Sequence, residues 1–245
     1  MKKYINALKK KLAEQYVVKS ITISSKVKQV SFTFDDVSES AFRNAQRTLD
    51  KLQFKGTFYI SLSFLDSDNE NDNLYSKEHL ISCLSNGHEL ACHTYNHIHF
   101  YKNSNVKFIH NNIRINQEKL NALGIKESFE NFSYPYGEQT KRSKKIVSKI
   151  FKTCRGIEHG INHNKVDLHN LKAIKLYEDF HSIDEIFSIL EDFHKSGGWL
   201  IFYTHDVKSN FSKYGCSPEY FETIVQKCKD LNISITTIKD GVENL

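Results

Sequence analysis

The chain has 245 residues, 39% hydrophobic and 26% charged, with a formal charge of +5. This balance describes a globular chain that buries a sizeable core rather than a disordered one, and two prolines and ten glycines leave little material for long linkers. Without an arginine-rich stripe or an aromatic-basic repeat, the mild positive charge excludes a dedicated nucleic-acid binder, and no apolar run reaches the roughly 18 residues of a membrane-spanning helix.

Lysines crowd the start, Met1 to Lys11, but no apolar stretch follows them. The segment therefore reads as an amphipathic helix of roughly 16 residues, not a secretory signal. Its lysines suit a solvated face or weak contact with an anionic membrane surface. Beyond it, short runs rich in β-branched and aromatic residues alternate with longer segments of helical period. Strands are predicted at 21–24, 30–34, 57–61, 89–92, 131–134, 152–155, 173–176, 199–204 and 233–237. Helices are predicted at 39–53, 77–86, 104–123, 139–150, 183–195 and 218–231. Ser217-Pro218-Glu219 has the form of an N-cap with proline at the first helical position, and Gly87 that of a helix stop. The polar stretch 66–73 reads as a loop. Residues 156–170 form the longest segment without a period, the kind of loop that carries substrate contacts.

Strands alternating with helices imply βαβ units and a largely parallel sheet. One domain is expected, with residues 1–24 as a helix and lead-in strand of the same unit and 25–245 as its body. The five cysteines, Cys83, Cys92, Cys154, Cys216 and Cys228, are odd in number and lack Cys-x-x-Cys spacing. That usage suits a reducing cytoplasm, so a cytoplasmic protein is expected, peripheral to the membrane at most.

Asp35 and Asp36 close the run Val30 to Phe34, at the strand end where parallel α/β folds bind ligands. Asp36 with Glu39 three positions on also fits a capping box. His93 and His97 close the run Glu89 to Ala91; on a helical turn their i, i+4 spacing puts both rings on one face, within reach of one metal ion. Thr94 is placed to hold a ring through a hydrogen bond. Cys92 alternates with His93 along the strand and is expected to face the core. The two motifs supply an Asp, His, His triad for a divalent metal and a spare carboxylate to act as a base. The turn Ser133-Tyr134-Pro135-Tyr136-Gly137 either aims a backbone N–H at a cavity or simply ends its strand. His205 follows the apolar run Trp199 to Thr204 and is either a site residue or a loop residue. All four motifs follow strands, so they should gather on one rim.

These residues resemble the polysaccharide deacetylase family, also called NodB-homology or carbohydrate esterase 4. The strand-ending Thr33-Phe34-Asp35-Asp36, the His93-Thr94-Tyr95-Asn96-His97 motif, the Pro-Tyr-Gly turn and the late apolar strand ending in His205 carry the likeness. It implies a distorted (β/α) barrel of about seven parallel strands. It further implies a divalent metal, zinc before Co2+, Ni2+ or Mn2+, held by Asp36, His93 and His97, with Asp35 as general base and His205 as general acid. Tyr136 would offer its backbone N–H to the oxyanion, with Tyr134 and Pro135 completing the substrate-binding turn. Where many members carry an arginine at the start of the Pro-Tyr motif, this chain has Ser133; Arg155, ending the next strand, is the candidate replacement for orienting the base. The fourth family motif is not recognisable, which leaves Asp167 and Asp179 as candidate partners of His205.

The implied reaction removes an N-acetyl group from an amino sugar in a glycan or a glycan precursor, lipid-linked or nucleotide-linked, within surface-glycan assembly. Two other readings stand beside it: removal of a formyl or other small acyl group from a sugar, and an inactive glycan-binding module on the same fold.

Overall fold

The strand predicted from the Thr-Phe-Asp-Asp run lies in the middle of a parallel sheet, and the rest of the molecule is arranged around it. The computed structural model describes residues 2–65, 68–69, 72–73 and 75–245. In chain order the elements are α1 (Lys2–Glu14), β1 (Ser20–Ile23), β2 (Lys28–Phe34), a π-helical segment (Ala41–Gln46) running into α2 (Arg47–Lys51), and β3 (Thr57–Ile60). A small ribbon of β4 (Asp68–Asn69) and β5 (Asp72–Asn73) precedes α3 (Lys77–Ser85), β6 (Glu89–Cys92), α4 (Val106–Ala122), β7 (Asn131–Ser133) and α5 (Lys141–Val147). The last part comprises β8 (Thr153–Arg155), β9 (Asn164–Asp167), β10 (Ile174–Lys175), α6 (Ile183–Ser196), β11 (Gly198–Thr204), α7 (Pro218–Asp230), β12 (Ser234–Ile235) and α8 (Ile238–Glu243).

Seven strands in the order β10-β11-β2-β3-β6-β7-β8 pair in parallel and curl into a half-barrel, and β12 pairs with the first half of β2. Between the two ends of the sheet, Cys154 N–H donates to Leu168 O and Gly156 N–H to Leu171 O, so the chain before β10 fills the gap beside β8. The strands are buried on both faces, as the near-continuous apolar runs require. Val30, Phe32, Phe34, Leu200 and Phe202 pack under the helices, whereas Trp199, Ile201, Tyr203, Tyr59 and Ala91 form a second cluster. Trp199 Nε1–H donates to Ser31 Oγ at 2.9 Å, which satisfies the indole in that second cluster.

Several expectations are revised. β1 does not join the main sheet; it pairs antiparallel with β9, a strand inside the aperiodic segment 156–170. The helix expected at 39–53 does begin at Glu39, but it passes into π-helical turns over Ala41–Gln46, where Phe42 stacks on Phe58 at 4.8 Å, and ends at Lys51. The expected loop 66–73 contains the β4–β5 ribbon, and residues 66, 67, 70 and 71 lie outside the described residues. A C-terminal helix, α8, was not expected; it closes the far end of the barrel, with Ile238 N–H donating to Thr57 Oγ1 and Gly241 O accepting from Gln29 Nε2. Ser217 and Gly87 do cap as read: Ser217 Oγ accepts from Tyr220 N–H, and Gly87 has φ 79°.

All five cysteines are buried and unpaired, with Cys92 Sγ facing Asn116 Nδ2 in the core. Among the described residues no helix is long and apolar enough to cross a membrane. On α1, Lys10 pairs with Glu14 and Lys9 lies over the Tyr101 ring.

Candidate active site

Every strand-end motif opens into one cavity of about 340 Å³ at the C-terminal rim of the sheet, lined by Asp35, Asp36, His93, His97, Tyr136 and His205 among others. That rim is where parallel sheets converge their loops. The positions are set by unusual backbone. Asp36, Thr94, His97 and Tyr136 all have positive φ, at 47°, 63°, 46° and 57°. None is glycine or asparagine, and Thr94 is β-branched, so each conformation is held against an intrinsic cost of order 1–3 kcal/mol by its surroundings. Such strain concentrates where side chains must be aimed. For His93 and His97 this replaces the helical turn expected from their spacing: the segment is a bend, and Thr94 Oγ1 steadies it by accepting from Ile98 N–H at 3.2 Å.

Asp36 turns toward the two histidines. Its Oδ1 lies 3.1 Å from His97 Nε2 and 3.6 Å from His93 Nε2. Neither Asp36 Oδ1 nor His97 Nε2 makes a hydrogen bond, although both are buried. The capping reading of Asp36 therefore fails; the following helix starts at Glu39, so Ser38 and not Asp36 is the residue that precedes it. His93 Nδ1 is 2.9 Å from the carbonyl oxygen of Ser133, which can only accept, so Nδ1 carries the proton and Nε2 presents a lone pair.

The electrostatics suit a cation. Burial lowers the His93 pKa to about 4 and that of His97 to about 2, which keeps both imidazoles neutral. Burial and the adjacent Asp35 charge push Asp36 well above the ordinary carboxylate range. Two neutral imidazoles and a carboxylate that lacks a counter-charge, with ligand atoms all within 4.8 Å of one another, fit a divalent metal ion.

Asp35 has a different environment. It is buried, and Arg155 Nη2 donates to both of its carboxylate oxygens. Ser133 Oγ lies 3.3 Å from Asp35 Oδ1. Burial alone would raise the Asp35 pKa, but the Arg155 charge, helped by His93 and His205, outweighs it and sets the value at about 2. The guanidinium is itself fixed between the rings of Tyr59 and Tyr203, at 5.1 and 4.9 Å, and donates to Gly156 O.

Across the cavity, His205 Nε2 is 3.9 Å from Asp36 Oδ2, and its Nδ1 is 3.4 Å from Tyr177 Oη. Tyr177, not an acidic residue, is the neighbour of Nδ1. Asp167 is committed elsewhere, to Lys144 Nζ at 2.8 Å and to the backbone N–H groups of Val18 and Lys19. Asp179 is not among the cavity residues. Burial lowers the His205 pKa, against the opposing pull of Asp35.

Of the Pro-Tyr-Gly turn, Tyr136 and Gly137 reach the cavity. The Tyr136 ring stacks on His99 at 3.8 Å and lies 4.1 Å from that of His97. Gly137 has φ 61°, and a Cβ there would overlap the Ile157 side chain. Pro135 and Tyr134 are buried beneath the turn, the Tyr134 hydroxyl donating to His169 O at 3.1 Å. Lys175, Tyr177, Tyr203, Tyr214 and Ile157 line the cavity without having been singled out in the sequence. Lys175 lies inside the predicted strand 173–176, one residue before its end, and ends the observed β10.

A half-barrel of parallel strands with an Asp-His-His cluster and a salt-bridged carboxylate on its C-terminal rim is thus the setting of the site. The chain belongs to the polysaccharide deacetylase family, whose model matches residues 22–152. No match was found among curated protein sequences. Similar solved structures include the Xyl-CE4 domain of a multidomain xylanase from the hindgut metagenome of Trinervitermes trinervoides, at 16% identity and TM-score 0.59, covering 89% of this chain and 91% of that one. The peptidoglycan deacetylase PdaC from Bacillus subtilis has 16% identity and TM-score 0.60, with 90% and 93% covered. BA3943 from Bacillus anthracis, described as a CE4 family pseudoenzyme, has 13% identity and TM-score 0.63, with 90% and 67% covered. At these identities the likeness establishes the fold.

Proposed function

We propose that this protein is a metal-dependent hydrolase that removes an N-acetyl group from an amino sugar in a glycan or glycan precursor. The observation that carries the reading is the division of labour between adjacent carboxylates: Asp36 faces His93 and His97, whereas Asp35 is locked to Arg155. In this reading residues 1–24 belong to the catalytic domain, supported by the hydrogen bonds of Lys144 Nζ to Ala13 O and Tyr16 O.

Asp36, His93 and His97 would hold the metal. A bound divalent cation supplies Lewis acidity toward an acyl carbonyl and lowers the pKa of water, from about 15.7 to about 7 in a zinc site. Asp35 is ionised across the physiological range and takes the proton of the attacking water. Arg155 keeps it in place without covering the cavity. The Tyr136 N–H, in the left-handed turn, donates to the oxyanion; a single such donor is typically worth about 10² to 10³ in rate. His205 delivers a proton to the departing nitrogen, so one proton leaves water and one reaches the amine. The exposed faces of Tyr136 and Tyr214 at the rim, 51% and 46% accessible, suit packing against the C–H face of a sugar ring.

Metal content and release of acetate or formate from an N-acetylglucosamine oligomer test the proposal together. We expect acetate, and an Asp35→Asn variant that keeps its metal and loses turnover. Wild-type rates in that variant would remove Asp35 as base, and bound metal with no turnover on any acylated sugar would favour the binding module.

A further inference from the structure

Lys175 ends β10 opposite Tyr203 of β11 in the parallel register, and both side chains enter the catalytic cavity. The lysine is partly buried, with its ammonium 3.0 Å from the centroid of the Phe180 ring and 5.9 Å from that of Tyr177. Aromatic faces are its neighbours, and among the described residues no carboxylate pairs with it. Lys172 on the same segment, by contrast, pairs with Glu158. The acidic groups close by are already engaged. Arg155 takes the charge of Asp35, and Asp36 faces the histidines. Glu178 accepts from Ser217 N–H, and Asp206 accepts from both the N–H and the hydroxyl of Ser212.

A cation that has lost part of its hydration and gained no counter-charge is costly unless something anionic visits it. The lowered pKa of Lys175, caused by burial, has the same origin. Nothing in the proposed hydrolysis uses this group: base, acid, oxyanion donor and metal ligands are all supplied by other residues. It lines the cavity together with Tyr214, one of the two tyrosines assigned above to packing against the sugar ring.

We propose that Lys175 is an anion-recognising subsite of this cavity, so that the sugar turned over there carries an oxyanion, a phosphate or a carboxylate, near the acylated position. This rests on the deacetylase reading for the reaction but not for the binding. Charge-assisted contact to the ammonium then selects acidic sugars over neutral glycans of the same size.

Calorimetric titrations of the full chain with N-acetylglucosamine 1-phosphate, N-acetylmuramic acid and N-acetylglucosamine test the subsite, alongside kcat/KM for acetate release from each. We expect at least one acidic sugar to bind about tenfold or more tighter than the neutral one, a preference that shrinks as ionic strength rises. Lys175→Gln should abolish that preference and Lys175→Arg should retain it; whichever acidic sugar gains most identifies phosphate or carboxylate as the group read. Equal affinities in the wild type, or a preference that survives Lys175→Gln, overturn the subsite. Binding preference without acetate release from any sugar would overturn the deacetylase reading and leave the subsite standing, and acetate release without preference would do the reverse.

Discussion

Arg155 stands opposite Ser133 in the parallel pairing of β7 with β8, and both side chains end on the same carboxylate, Asp35. The guanidinium thus reaches Asp35 from one strand further along the sheet than the motif position that Ser133 occupies. Lysine lacks the planar guanidinium that Tyr59 and Tyr203 hold between their rings and that fixes this contact. In Arg155→Lys or Arg155→Gln we expect kcat to fall by about 10 to 10². With the guanidinium charge lost or less well aimed, the Asp35 pKa rises from about 2. The acid limb of the pH–rate profile should therefore move to higher pH. A loss of kcat with an unmoved acid limb would show that Arg155 acts on something other than the base.

Metal removal gives a second outcome. Chelation should abolish acetate release, and Zn2+ or another divalent first-row ion should restore it. Because burial and Asp35 hold the metal-free Asp36 carboxyl well above its ordinary range, binding must displace its proton. Metal affinity measured by competition with a chromophoric chelator should therefore weaken as pH falls. His97→Ala should weaken it at every pH by tenfold or more. Activity that survives complete removal of metal would contradict the assignment.

The parts of this architecture visible in the sequence are those written as local pattern. β2, β3, β6 and β11 announce themselves because each is apolar, short and bounded, and the proposed metal ligands because His93, His97 and Asp36 sit at strand ends. What stayed hidden depends on distant contacts. α8 is a short helix containing Gly241, which reads as a breaker but leaves room for the Trp199 ring. β9 is polar and pairs outside the main sheet. The left-handed backbone at Asp36, Thr94, His97 and Tyr136 has no signature in those residue types, and the meeting of Arg155 with Asp35 depends on strand register. Tyr177 beside His205 was missed because β10 is only two residues long and the expectation was of an acid.

Asp35 also makes the metal-free protein sensitive to acid. Its folded pKa of about 2 lies below the ordinary 3.8. The pair with Arg155 therefore contributes fully above about pH 4, and the contribution is lost as pH falls toward 2, about 2 kcal/mol in all. His93 and His97, with pKa values lowered from 6.5 to about 4 and about 2, add losses of the same slope per proton that begin below about pH 6.5. Denaturant midpoints measured from pH 7 to pH 2 should therefore decline across the whole range. In Asp35→Asn the decline between about pH 4 and 2 should flatten; an unchanged decline there would assign it to other groups.

Gly137 lets the Pro-Tyr-Gly turn pack directly against Ile157. With φ 61° and the Ile157 side chain where a Cβ would go, Gly137→Ala must shift either the turn or Ile157. A loss of about 1–3 kcal/mol in stability and a fall in kcat are expected together. Trimming Ile157 to Ala in the same chain should recover part of both, because it clears the space while leaving the φ cost. Failure of the double variant to recover anything would place the whole effect in the backbone.

Lys144 is fully buried, and its ammonium pairs with Asp167 at 2.8 Å while donating to Ala13 O and Tyr16 O. It therefore holds three pieces together: α5, the end of α1 with the residues just after it, and the end of β9. Lys144→Met keeps most of the volume but removes the charge, leaving Asp167 with backbone partners only and two carbonyl groups without their donor. Breaking a buried pair from one side costs about 3–5 kcal/mol. The N–H groups of Val18, Lys19 and His169 still serve Asp167, so about 2–4 kcal/mol is expected. For a chain of this length that corresponds to a melting temperature lower by about 5–12 °C. Because α1 is tied to the body partly through these bonds, limited proteolysis should cut within residues 1–24 sooner than in the wild type. A variant that melts within about 1 °C of the wild type and resists protease equally would show that α1 is anchored by its other contacts alone.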